Sequence, residues 1–227
     1  MIDNFNRIVL ANSGLLFSGL LVTLRICLFA FAMAAVVGLT ACLVRLYVPV
    51  LRAAAIAYIE FCRSTPMVVQ LLWVNYVWPD LFGFPDSVEG AGIIALGLQS
   101  SGYLAETFRA GIEGMTRGQR EAAMALGLSS SQTMVRITMP QVALDMAPSL
   151  INQLTVVLKS STLVSVIAVP DLMFQALRLV DRSLEPIEVL STTALIYISL
   201  IFSVSFVAKK VADRFRTRFG LTIHQVN

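Results

Sequence analysis

The sequence predicts an all-α polytopic membrane protein with about five transmembrane helices. Of its 227 residues, 57% are hydrophobic and only 14% are charged, and the mean hydropathy is +0.78. A soluble domain averages roughly 45–50% apolar and about 25% charged residues. A chain this size would still need a wettable surface if it were soluble, so a soluble globular enzyme is excluded. The same figures exclude disorder. The net charge of +3 argues for no nucleic-acid surface, and the bilayer is the partner that the composition demands.

The spans follow from the rule that a helix crossing a bilayer needs about 20 mostly apolar residues. The first is expected over about residues 14–44, with Arg25 as its only charge. The start, MIDNFNRIVLANSG, lacks a basic segment before the apolar run, so no cleavable leader is expected. The second span, about 53–79, contains Glu60, Arg63 and Pro66, and the third, about 90–112, carries Glu106 and Arg109. The fourth, about 146–169, contains Pro148 and Lys159, and the fifth, about 187–207, is preceded by Pro186, suited to a first helical position. Cys27, Cys42 and Cys62 lie in apolar runs without metal-ligand or CxxC spacing and read as buried free thiols. Together the spans and their loops form one transmembrane domain over 1–227.

Orientation is read from the basic residues of the short loops. Placing the C-terminus inside puts Arg45, Arg52, Arg117, Arg120, Arg136, Lys209, Lys210, Arg214, Arg216 and Arg218 in the cytoplasm. Only Arg7, Arg178 and Arg182 are then outside, so the expected topology has the N-terminus out and the C-terminus in. The outer connection 170–185 mixes Leu172, Phe174, Leu177, Leu179 and Val180 with charges, as suits a helix lying on the membrane surface.

The largest cytoplasmic loop, about 113–145, reads as two short helices. Thr116 with Gln119, and Ser129 with Gln132, have capping-box spacing, and Gly127 stands where a left-handed residue ends a helix. Within this loop Glu121-Ala122-Ala123, then Gly127, Ile137 and Pro140 at fixed intervals, resemble the coupling motif of ABC importer membrane subunits. Met139 departs from the usual leucine before the proline, an apolar swap of similar volume. Tyr58-Ile59-Glu60-Phe61-Cys62-Arg63-Ser64-Thr65-Pro66, with Val69-Gln70-Leu71, resembles span two of the polar amino-acid uptake subfamily. Gly102-Tyr103-Leu104-Ala105-Glu106 with Arg109-Ala110-Gly111-Ile112, and Asn152-Gln153 with Leu158-Lys159-Ser160-Ser161-Thr162, resemble its third and fourth spans. Ser160 stands where an acidic residue commonly follows the lysine, and Ser64 where many members carry glycine.

This resemblance implies the type I importer fold, in a bacterial plasma membrane, carrying a polar amino acid or close analogue. It implies a second permease subunit, two ABC ATPase subunits docked on the coupling loop, and an extracytoplasmic solute-binding protein. Glu121, Ala122, Ala123, Gly127, Ile137 and Pro140 are the implied coupling residues. ATP and Mg are expected in the partner ATPase, with no cofactor on this chain. That division fits the absence of a GxxxxGK[ST] loop: Lys159, Lys209 and Lys210 do not follow glycine. The single histidine, His224, lies in the tail, leaving no histidine-based catalytic or metal site. The chain is therefore expected to be a transport subunit and not an enzyme. A stand-alone channel or scaffold is the competing reading, and an opine or osmolyte the competing cargo.

Ionisable groups in a span cost a few kcal/mol unless paired or hydrated. Glu60 and Arg63, like Glu106 and Arg109, are three apart and can meet on one helix face. They serve either neutralisation and packing or a network that moves with the loop. Arg25 has no partner in its own span. In span four, Ser149, Asn152 and Gln153 follow Pro148; the adjacent amides point about 100° apart. Amides donate to a carboxylate and accept from an ammonium, so Asn152 and Gln153 are solute-pathway candidates as well as helix-packing ones. Subfamily members for cationic solutes often carry glutamate at the position of Gln153. Thr65 and Gln70 beside Pro66, and Gln99 in span three, complete the pathway candidates.

Overall fold

The computed structural model describes residues 11–114, 127, 129, 132 and 144–218, with no strand among them. The elements are α1 (Ser13–Tyr47), a 3-10 turn (Pro49–Leu51), α2 (Arg52–Ser64), α3 (Met67–Tyr76), α4 (Trp78–Phe82), α5 (Val88–Glu113), α6 (Ala147–Ser160), a second 3-10 helix (Ser161–Ile167), α7 (Leu172–Ser183) and α8 (Pro186–Arg218). Glu121, Ala122, Ala123, Ile137 and Pro140, with the Thr116–Gln119 capping box, lie outside the described residues.

Among the described residues, three helices are long and apolar enough to cross a membrane: Ser13–Tyr47, Ala147–Ile167 and Pro186–Arg214. The other two expected spans differ for physical reasons. Span two is broken: Thr65 (ψ 127°) and Pro66 (ψ 134°) are both extended, so α2 stops and α3 starts anew. The residue before proline is pushed out of the helical region, and proline has no N–H to continue the ladder. Span three is a single helix, α5, whose buried face is built of Ala91, Gly92, Ala95, Gly97, Ser100, Ser101, Gly102 and Ala105. Small side chains let backbones approach closely, which is what a helix surrounded by helices requires in lipid.

Helix α5 is that hub: α1 runs along it, and α2, α3 and α6 pack on it as well. The main core joins α1, α3, α5, α6 and the second 3-10 helix through Ile26, Leu71, Leu96, Leu158 and Val164. Phe17, Leu28, Leu195 and Phe202 stay exposed; hydrocarbon is the solvent that suits them. A second cluster, Leu16, Leu172, Ala176, Leu179 and Tyr197, binds α7 to α1 and α8. The expected short helix of the 170–185 connection forms as α7, and it packs against the protein along its apolar side.

Asp171 anchors that helix and was not singled out in the sequence. Its buried carboxylate accepts from the Phe174 N–H at 2.9 Å as N-cap and from the Tyr197 hydroxyl at 3.4 Å. Beside it, Thr23 Oγ1 of α1 accepts from the Leu172 N–H at 3.1 Å. Burial pushes the Asp171 carboxyl up to about 6. An unfolded carboxyl titrates near roughly 3.9, so between these values the folded chain holds a proton that the unfolded chain releases. The contribution of Asp171 is thus fully present below about pH 4 and lost as pH rises through about 6. Asp171→Asn keeps an N-capping oxygen and removes the titration. The difference in thermal unfolding between wild type and this variant, measured in detergent from about pH 4 to 7, is expected to shrink with falling pH. A constant difference across that range assigns Asp171 no titrating role.

Candidate functional site

The break in span two leaves carbonyls at the end of α2 without helical donors. Two of them are taken up by α5. The Tyr103 hydroxyl donates to Arg63 O and the Gln99 amide to Thr65 O, each at 3.4 Å. Gln99 and Tyr103 are four apart and share a face, on which Thr107 follows one turn later. Thr65 bonds back to Phe61 O at 2.7 Å. Gln70, one turn into α3, is buried, and its amide has no hydrogen-bond partner among the described residues.

Where α2, α5 and α6 converge there is a cleft of about 490 Å³ lined by Arg63, Tyr103, Glu106, Thr107, Pro148, Ser149, Asn152 and Gln153. The cleft brings together residues of three expected spans. Pro148 sits in the first turn of α6, where its missing N–H costs no helical bond. Ser149 and Asn152 are exposed on α6, while Gln153 is mostly buried yet reaches the same cleft. Thr65, Gln70 and Gln99 do not line it: they belong to the break itself.

Both expected charge pairs form. Arg63 Nη1 donates to Glu60 Oε1 at 3.1 Å, and Arg109 Nη2 meets Glu106 Oε2 at 2.7 Å. Glu106 is further engaged: its other oxygen accepts from Arg45 Nη1 of α1, and Arg109 also holds Glu113 at 2.5 Å. This network joins α1 to α5 at the end from which the 113–145 loop begins. Arg25, which has no partner in its own span, finds one on another helix: its Nη2 meets Glu89 Oε2 at 2.5 Å, between α1 and the first turn of α5. The pair escaped a reading confined to single spans, as did Arg45 with Glu106. Tyr103 and Thr107 were legible as the continuation of the polar stripe that starts at Gln99.

Of the loop, Gly127 has φ +76°, the left-handed conformation expected of it. The Ser129–Gln132 capping box is formed, with Ser129 N–H to Gln132 Oε1 at 3.0 Å and Gln132 N–H to Ser129 Oγ at 3.2 Å.

Residues 28–217 match the family described as binding-protein-dependent transport system inner membrane component. The chain belongs to this family. It is 32% identical over 201 residues to the arginine transport system permease protein ArtQ of Bacillus subtilis, covering 88% of this chain and 91% of that protein. It is also 32% identical over 197 residues to the putative glutamine transport system permease protein GlnP of Rickettsia felis, covering 86% and 90% of the two chains. Among solved structures, the crystal structure of an amino acid ABC transporter with histidines superposes with a TM-score of 0.82 at 33% identity, over 90% of this chain and 96% of that one. An inward-facing structure of the MetNI methionine ABC transporter shares the fold, with a TM-score of 0.77 at 16% identity over 90% and 98%. The protein is thus a multi-pass inner-membrane transport subunit with the ABC importer permease fold.

The pairing pattern makes Glu106 the most heavily committed charge at the site. Glu106→Gln should leave Arg45 without its carboxylate while Arg109 keeps Glu113. The expected loss is about 1–3 kcal/mol of stability, the range for a hydrogen bond to a charged group. It is read as a lower melting temperature in detergent, part of which Arg45→Met restores in the double variant. A double variant no more stable than Glu106→Gln alone would show that the two residues are not coupled.

Proposed function

We propose that this chain is the membrane-spanning subunit of an ATP-driven importer for a polar amino acid or close analogue. The observation that carries the reading is the cleft in which the amides of α6, Asn152 and Gln153, meet the charged groups of α2 and α5. Donors and acceptors placed together in a span suit a zwitterion. Relatives named for arginine and glutamine transport support the same cargo class. Two permease subunits pair, two ATPase subunits holding ATP and Mg dock below, and an extracytoplasmic binding protein delivers solute. Glu121, Ala122, Ala123, Gly127, Ile137 and Pro140 form the docking loop, and ATP-driven closure of the ATPases reaches the cleft as alternating access. The balance of basic residues supports an outer N-terminus and a cytoplasmic C-terminus.

Two experiments test this. Gln153→Glu places a carboxylate among neutral amides, so competition uptake in proteoliposomes with the cognate binding protein and ATPase should shift towards cationic amino acids. Asn152→Ala should lower uptake of every substrate. An unchanged ranking and rate in both variants returns these residues to helix packing. For docking, Gly127→Val forces a β-branched residue into a positive φ, and Glu121→Lys reverses a charge. Both variants should insert and yet lose solute-stimulated ATP hydrolysis; retained coupling would remove the loop from the ATPase interface.

A further inference from the structure

Two charged side chains line the cleft, and they differ in how much binding capacity remains. Glu106 is spent: one oxygen accepts from Arg45 and the other from Arg109, whose Nε donates at 2.9 Å. Its charge is thereby matched by two guanidinium groups, which weakens its pull on a cationic solute group. Arg63 is different. One nitrogen, Nη1, bonds the half-exposed Glu60 at 3.1 Å, and its buried Nε has no acceptor among the described residues.

Its surroundings hold Arg63 ready. The guanidinium carbon lies 5.6 Å from the Tyr103 ring centroid, and the same tyrosine holds the Arg63 carbonyl through its hydroxyl. Stacking on an aromatic face orients the plane of an arginine fork. The stem lies against Gly102, where a Cβ would stand 3.0 Å from Arg63 Cγ and 2.9 Å from Cys62 Cβ. A side chain at Gly102 would push the arginine off α5. The other cleft polar groups, Ser149, Asn152, Gln153, Thr107 and Tyr103, are neutral.

We propose that Arg63 is a substrate-binding residue that holds the α-carboxylate common to amino-acid solutes, and that its positive charge weighs against a cationic side chain in the same cleft. This rests on the cleft being the solute path. A carboxylate along the guanidinium edge supplies acceptors in the geometry that arginine matches with two parallel bonds. The solute ammonium and side chain are left to the amides of α6. Glu60, exposed and held by one bond, yields at little cost because exposed ion pairs are weak.

The test uses the whole transporter in proteoliposomes with its binding protein saturating, so that the filter imposed by that protein is common to all variants. Uptake of glutamate, glutamine and arginine is measured for wild type, Arg63→Lys, Arg63→Gln and Asn152→Ala. Arg63→Gln should raise KM for glutamate and glutamine about ten-fold or more, the lower end for a charge-assisted bond, with a smaller change in kcat. KM for arginine should rise less, because its lost carboxylate contact is partly offset by relief of repulsion from the Arg63 charge, so the glutamate-to-arginine preference should fall. Arg63→Lys keeps the charge and loses the fork, and should lie between the two. If Arg63→Gln fails to insert, Arg63→Lys decides: a raised KM supports the assignment and a wild-type KM overturns it. Wild-type KM and ranking in both Arg63 variants, while Asn152→Ala still impairs uptake, overturns the role of Arg63 and leaves the path standing. Wild-type behaviour in all three variants overturns both.

Discussion

The constraint on which the site depends is the interruption of the second span at Thr65-Pro66. Inside a bilayer no water satisfies freed backbone groups, so a broken helix persists only where protein supplies the missing partners. Here α5 supplies them through Gln99 and Tyr103 to the carbonyls of Thr65 and Arg63. That requirement puts a polar stripe on the hub helix. The stripe runs on into Thr107, and beside it Glu106 faces the same cleft. The cleft is therefore the continuation of a backbone repair. Its position is fixed by the residue that ends α2 and the side chains that can reach it.

A hub helix of small residues follows from the same geometry. For Tyr103 to bond across to α2, the two backbones must come close, and Gly102 leaves that space. The same choice dilutes the hydropathy of α5, so that the helix on which the others pack is less apolar than the lipid-facing α1. Apolar bulk is needed where a helix meets lipid, as along α1 and α8, and small size where it meets other helices. Amino-acid type thus reports neighbours more faithfully than it reports depth.

This explains what the sequence made legible. The ends of α1 and α5 and the start of α8 could be read to within a few residues, because apolar runs and a helix-starting Pro186 mark them. Helix α8 runs on to Arg218, past the expected end at 207, through a charged stretch that is helix-forming without being apolar. The pairs Glu60–Arg63 and Glu106–Arg109 were legible because helical spacing alone brings them together. Arg25–Glu89 and Arg45–Glu106 were not, since each joins helices more than sixty residues apart in sequence and depends on their register. Asp171 was missed for a related reason. Its N-cap role over Leu172–Ser183 is local, but the hydroxyl of Tyr197 arrives from another helix. Asn152 and Gln153 could be named as candidates from chemistry, yet only the approach of α2 and α5 shows which charges share their space.

Those charges also lie along a continuous line. From Glu113 at the end of α5, Arg109 reaches Glu106, and Glu106 lines the cleft while holding Arg45 of α1. Energetic coupling travels through contiguous elements, and ion pairs that share one carboxylate make α1 and α5 contiguous here. Glu106 cannot shift towards one guanidinium without loosening the other. The loop proposed as the docking site begins directly after α5, so under that proposal a pull on the helix end would act first on Arg109 and Glu113, and then on the wall of the cleft. The pair on the other side of the cleft, Glu60 with Arg63, belongs to α2 alone and would not be strained by the same movement. Under the proposed function, a wall of this kind, with one charge on the helix that leads into the docking loop and one that meets the solute, would let solute binding and loop position bias each other without direct contact.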